Sequence, residues 1–141
     1  MKKAIGVIIL GLLWCNVVYA LQSSQDLKKD CAMAEQVIRA DTLEKMTKLN
    51  PSDLQIQRVT ACYSYFQGLY DASMLSTTAA VKDTKKLKKF HFLGSSCPPI
   101  KVSRNQLILI YVKYISKHPE KLHEPALLTV GYAIKEVFPC K

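Results

Sequence analysis

Apolar residues recur at three- and four-residue steps along much of this chain, and that period divides it into helical stretches. Between Ser24 and about Ala40, Leu27, Cys31, Ala34 and Ile38 share one face, with Lys28, Lys29, Glu35 and Arg39 on the other. Asp41 and Thr42 then offer a cap or a kink, and Leu43, Met46 and Leu49 continue a shorter apolar period that suits one bent helix or two. Asn50-Pro51-Ser52-Asp53 marks a new start, with asparagine as N-cap, proline in the first turn and an acidic residue against the helix dipole. This second helix is expected to run to about Met74, with Val59, Cys62, Tyr63, Phe66 and Tyr70 facing inward. Gly68 lies within it and costs about 1 kcal/mol relative to alanine, which points to close backbone packing there.

The period fails from Ser76 to Ser96, where Lys82, Lys85, Lys86, Lys88 and Lys89 precede Phe90-His91-Phe92. Such a stretch reads as a mobile, basic connection that keeps the chain soluble. Its sharper reading is a partner-contacting patch of Lys85, Lys86, Lys88, Lys89, Phe90, His91 and Phe92, where lysines attract charge and two phenylalanines anchor. Cys97-Pro98-Pro99 excludes helix, and Ser103 with Gln106 then forms a capping box flanked by Val102 and Leu107 at the hydrophobic-staple positions. Only Lys113 is charged between Leu107 and Ile115, so this third helix should lie centrally before His118-Pro119 stops it. Pro125 sits in the first turn of a fourth helix whose face is Leu127, Val130, Ile134 and Phe138, ended by Pro139. The expected fold is all-α: a small bundle of four to five helices, the last two forming an antiparallel pair.

The N-terminus changes the picture of where this bundle works. Lys2 and Lys3 precede an apolar run from Ala4 to Val18 that closes on Val18-Tyr19-Ala20, the layout of a secretory signal peptide cleaved after Ala20. Its roughly 15 apolar residues would span about 22 Å of helix, short of a hydrocarbon core of about 30 Å. Cys15 follows the bulky Trp14, unlike a lipoprotein site, and leaves with the signal. The mature chain, residues 21–141, is then a single exported domain bound for the periplasm, with no transmembrane segment after cleavage. It keeps four cysteines, and an even number in an oxidising compartment means disulfides. Cys97 precedes the third helix and Cys140 follows the fourth, so the helical hairpin brings them to one end; that pairing leaves Cys31 with Cys62. Sequence alone still allows three connectivities. Net charge falls from +9 to +7 when Lys2 and Lys3 leave, which suits an anionic partner, while export argues against nucleic acid.

Candidate chemistry adds little. His118 to His123, the segment HPEKLH, holds two histidines and an acid within six residues, but their spacing does not share one helical face and Pro119 marks a turn. No cysteine pair has C-x-x-C spacing, no serine has a G-x-S-x-G setting, and no glycine-rich phosphate loop exists. Asp71 reads as a structural hydrogen-bonding group. The reading is a binding protein rather than an enzyme, with no catalytic residue, metal or cofactor.

Two stretches carry a resemblance. In ACYSYFQGLYDA, Cys62, Tyr65, Gly68, Asp71 and Ala72 stand at the spacings of the type VI secretion amidase immunity proteins, with Ser64 where that family usually has glycine. From Cys97 to Cys140 the matches are Cys97, Pro98, Gln106, Leu107, Lys113, Tyr114, His118, Pro119, Glu120, His123, Pro125, Ala126, Phe138, Pro139 and Cys140. Together they span about 80 residues, and before Cys62 only Cys31 has a counterpart. The resemblance implies a helical periplasmic protein, often a homodimer, that binds a secreted peptidoglycan amidase effector and occludes its cleft. The matching residues carry the fold, so they do not identify the toxin. The competing reading is a periplasmic chaperone-like or anionic-surface-binding module on the same scaffold, motivated by the +7 charge and the Lys82 to Phe92 segment.

Overall fold

A computed structural model describes residues 22–40, 42–80, 88–93 and 95–140; the expected signal segment 1–20, together with Lys82, Lys85 and Lys86, lies outside the described residues. Among the described residues five α-helices form: α1 (Ser24–Arg39), α2 (Leu43–Leu49), α3 (Asp53–Ala80), α4 (Arg104–Lys117) and α5 (Ala126–Val137), with a 3-10 turn at Pro119–Lys121. Among the described residues there is no strand, only isolated bridges around the segment 89–99 and at Pro125 and Pro139. The fold is all-α, as the periodicity predicts.

Local chemistry sets the boundaries. Ser23 caps α1, its Oγ accepting from the Asp26 N–H at 3.2 Å. Thr42 caps α2 by accepting from Lys45 N at 3.3 Å, so the region after Ala40 is a second helix and not a bend. Asn50 is not the cap of α3: it ends α2 in the left-handed region at φ 38°, a conformation asparagine tolerates. The start of α3 is a capping box two residues on, where Ser52 N–H donates to Gln55 Oε1 at 2.8 Å and Gln55 N–H to Ser52 Oγ at 3.4 Å. Ser103 Oγ accepts from Gln106 N at 3.2 Å to begin α4, with Val102 and Leu107 buried as the staple requires.

Helix α4 lies at the centre and touches α1, α3 and α5. Leu107, Ile108, Tyr111 and Ile115 are buried along it among Leu27 and Ala34 of α1, Phe66 of α3, and Val130 and Ile134 of α5. Each such side chain contributes about 1.5–3 kcal/mol by leaving water. The inward face of α5 differs from the sequence expectation: Ala126, Val130, Ala133 and Ile134 are buried, whereas Leu127 is 42% exposed. Pro125 is the N-cap rather than a first-turn residue. Gly68 also differs; it is exposed, and a Cβ built there would meet nothing within 4 Å, so close packing does not explain it.

A polar seam crosses this core. The Tyr111 hydroxyl donates to Ser24 O at 2.9 Å, and Ser24 Oγ lies 2.6 Å from Thr129 Oγ1, linking α4, α1 and α5. No buried side-chain polar atom of the described residues lacks a partner. Two disulfides close the fold: Cys31–Cys62 ties α1 to α3, and Cys97–Cys140 ties the segment before α4 to the end of α5. Of the three connectivities open to the sequence, this is the one the hairpin argument selects. No helix of the described residues is long and apolar enough to cross a membrane.

Candidate functional site

The basic segment folds differently from its sequence reading. Helix α3 continues past Met74 to Ala80 because its later turns bury Ser73 and Thr77 instead of apolar groups. These two hold the returning chain: His91 N–H donates to Thr77 Oγ1 at 2.9 Å and Leu93 N–H to Ser73 Oγ at 3.3 Å. Backbone bonds from Phe90 N to Pro98 O and from Phe92 N to Ser96 O fold the segment onto itself. As a result Phe90 and Phe92 point inward and are buried, Phe90 meeting Tyr70 edge-on at 5.3 Å. They belong to the core and offer no outward anchor. Lys88, Lys89 and His91 remain exposed.

The histidine-rich turn sits at the other end of α4. The Tyr114 ring stacks on His118 at 4.4 Å, and His118 Nδ1 lies 2.9 Å from Glu120 Oε1. Glu120's own backbone N–H, and then His118, hold its carboxyl below the ordinary value. Lys121 pairs with Glu124 at 3.2 Å, which raises its pKa, and places its ammonium 5.1 Å from the centre of the Tyr132 ring. The turn is tied to the start of α1 through Ser24 N to Glu124 O, Gln25 N to Leu122 O and Ala126 N to Gln22 O. Pro119 and His123 face solvent.

Beside this turn opens a shallow recess of about 490 Å³ lined by Tyr114, Lys121, Tyr132, Lys135, Glu136 and Pro139. Leu128, Tyr132 and Lys135 follow at four- and three-residue steps, so they share the outer face of α5. Leu128 is 48% and Tyr132 45% exposed, on a helix whose other side is buried through Ala126, Val130, Ala133 and Ile134. The other exposed large apolar residues among those described are Leu127 and Val137, also on α5, and Leu54, Ile56 and Leu75, spread along α3. Two tyrosines, a proline and charges of both signs thus surround the depression, with Leu128 exposed further along the same helix face. The sequence signal is Leu127-Leu128 and Tyr132 in a short helix; the expected face of Val130 and Ile134 holds, but Leu127 at its margin faces out, and Tyr132 carries no motif that singles it out.

The other residues of the shared motifs are mainly structural. Tyr65 packs edge-on against Phe66 and burial pushes its hydroxyl up to about 12. Gln67 Nε2 donates to Asp71 Oδ1 at 2.6 Å on the exposed side of α3. The Phe138 carbonyl accepts from Cys97 N at 2.8 Å, and Pro139 bridges to Ser96. Among the described residues one group of three, His91, Cys97 and Cys140, has the proximity of metal ligands, and both sulfurs there are engaged in the disulfide. No curated protein and no solved structure matches this chain. A family model described as Rap1a immunity proteins matches residues 23–140, from the cap of α1 to the last cysteine.

Proposed function

The chain belongs to the Rap1a immunity protein family, and from that premise we propose that it binds and blocks a secreted peptidoglycan amidase in the periplasm, sparing the cell that makes it. Membership implies binding to a secreted effector, and the match over residues 23–140 is the observation that carries the reading. The lysine-flanked apolar run at residues 2–18 supports export, and the two disulfides suit an oxidising compartment.

Blocking here is steric. The outer face of α5 and the HPEKLH turn present Leu128, Tyr132, Lys121 and Lys135 on backbone held in regular helix and in a hydrogen-bonded turn, so docking need order only side chains. The resemblance also implies a homodimer, and sedimentation of the free protein reads out whether one forms. The anionic-surface reading keeps only charge in its support, since Phe90 and Phe92 are interior.

Capture from pools of secreted amidases by immobilised protein tests the proposal. One enzyme should be retained, and Tyr132→Ala should weaken retention roughly 30-fold, the equivalent of about 2 kcal/mol for an interface anchor, with unchanged helical signal. Equal retention by Tyr132→Ala would move the contact surface elsewhere. Failure to retain any amidase encoded beside it would remove the immunity reading.

A further inference from the structure

We propose that His91, Cys97 and Cys140 form a thiol-gated site for a thiophilic cation such as Zn²⁺, closed while the disulfide stands and opened when it is reduced. The proposal is independent of any effector. His91 Nδ1 lies 3.7 Å from Cys97 Sγ and 4.0 Å from Cys140 Sγ. In a tetrahedral zinc site, bond lengths of about 2.3 Å to sulfur and 2.05 Å to nitrogen set N–S edges of roughly 3.6 Å and an S–S edge of roughly 3.8 Å. Both N–S distances are thus already near their ligating values, and only the two sulfurs must part. Their Cα atoms are 4.9 Å apart.

The three residues are held together without the S–S bond. His91 hangs from Thr77 through its backbone N–H, between the buried Phe90 and Phe92. Cys97 N–H bonds to Phe138 O, and Ser96 bridges Pro139, so the chain on both sides of the disulfide is paired by backbone. Reduction should therefore leave the donors in place. His91 and Cys140 are exposed, which gives reductant and ion a path and leaves the fourth position to water.

Two low-molecular-weight thiols deliver two electrons to the Cys97–Cys140 bond, giving two protein thiols and one small disulfide. Uptake of Zn²⁺ then releases both thiol protons to solvent, while the neutral His91 ring supplies the Nδ1 lone pair. Borderline-soft ions favour this one-nitrogen, two-sulfur set over oxygen-seeking Mg²⁺ or Ca²⁺. Cys31–Cys62, fully buried, stays oxidised under the same treatment.

The test treats purified protein with a mild phosphine, confirms by mass spectrometry that Cys97 and Cys140 alone are reduced, removes the phosphine without air, and titrates Zn²⁺ against a chromophoric chelator. One Zn²⁺ per chain should bind the reduced protein and none the untreated protein, with the helical signal unchanged. Loss of an outer-shell partner already costs about 10- to 100-fold in metal affinity, so removing a ligand through His91→Ala should cost at least about tenfold. His91→Gln gives the same reading should the alanine variant fold poorly. Reduced protein that holds Zn²⁺ no better than untreated protein, equal affinity in the His91 variants, or loss of helix on reduction would each overturn the proposal.

Discussion

The two disulfides invite comparison because one measure makes them equal and another separates them completely. Cys31–Cys62 closes a separation of 31 residues and Cys97–Cys140 one of 43. Loop-closure entropy alone would assign them about 3.7 and 4.0 kcal/mol, a difference too small to matter. Surroundings divide them. Cys31 and Cys62 are fully buried between α1 and α3, whereas Cys140 is exposed, Cys97 half-buried, and the exposed His91 stands beside both sulfurs. A covalent staple inside the core adds packing to its constraint; one at the surface adds mainly constraint and stays open to chemistry. Backbone pairing around Cys97 already supplies part of that constraint.

The sharpest way to break this comparison is to remove each staple. Cys31→Ala with Cys62→Ala should lower stability by about 4 kcal/mol or more, adding lost packing to lost constraint, and unfold a marginal domain at 37 °C. Cys97→Ala with Cys140→Ala should cost visibly less; urea unfolding of both variants reads the ranking, and equal costs would contradict it. Graded reduction with alkylation should label Cys97 and Cys140 first.

Next in size is the response to alkali, which reads the core around the buried staple. Burial raises Tyr65 from 10.0 to about 12, and burial pushes the hydroxyl of Tyr111 up as well. The folded state then holds protons that the unfolded state has released. This stability is complete below pH 10 and is lost as pH rises from 10 toward 12. Urea midpoints that stay flat across that window would count against burial of these hydroxyls.

Smaller effects test the exposed end. Thr77→Val removes the acceptor of His91 N–H and should cost about 1 kcal/mol, loosening the loop that carries His91 and Cys97. Hydrogen exchange at His91 and Leu93 should quicken, while amides of α1 keep their protection. Gly68→Ala, with open space for its methyl group, should raise stability by about 0.5–1 kcal/mol, and a loss would show that Gly68 is packed after all.

Most helices were legible in the sequence because their apolar period and caps agree. Ser103, Gln106, Val102 and Leu107 located α4 from four residues, and Cys31, Cys62, Cys97 and Cys140 with the helical hairpin led to the disulfides. Asn50 misled because asparagine serves equally well before a helix and after one, and only the Ser52–Gln55 box marks the true start of α3. The last turns of α3 were missed because Ser73 and Thr77 are buried for their hydrogen bonds, which an apolar period does not register. Leu127 lies at the margin of the stripe that Val130 and Ile134 mark correctly, beside the buried Ala126, and an apolar residue at that margin reads the same whether it faces in or out. The gathering of His91 with Cys97 and Cys140, and the recess around Tyr132, come from packing between distant segments, which local spacing does not encode.

The most direct test of the immunity reading is peptidoglycan cleavage by a captured amidase at increasing ratios of this protein. The account predicts that cleavage falls to nothing at one protein per enzyme, in oxidised protein and without consumption of the inhibitor. Cleavage that persists at saturating protein, with complex formation verified, would contradict it.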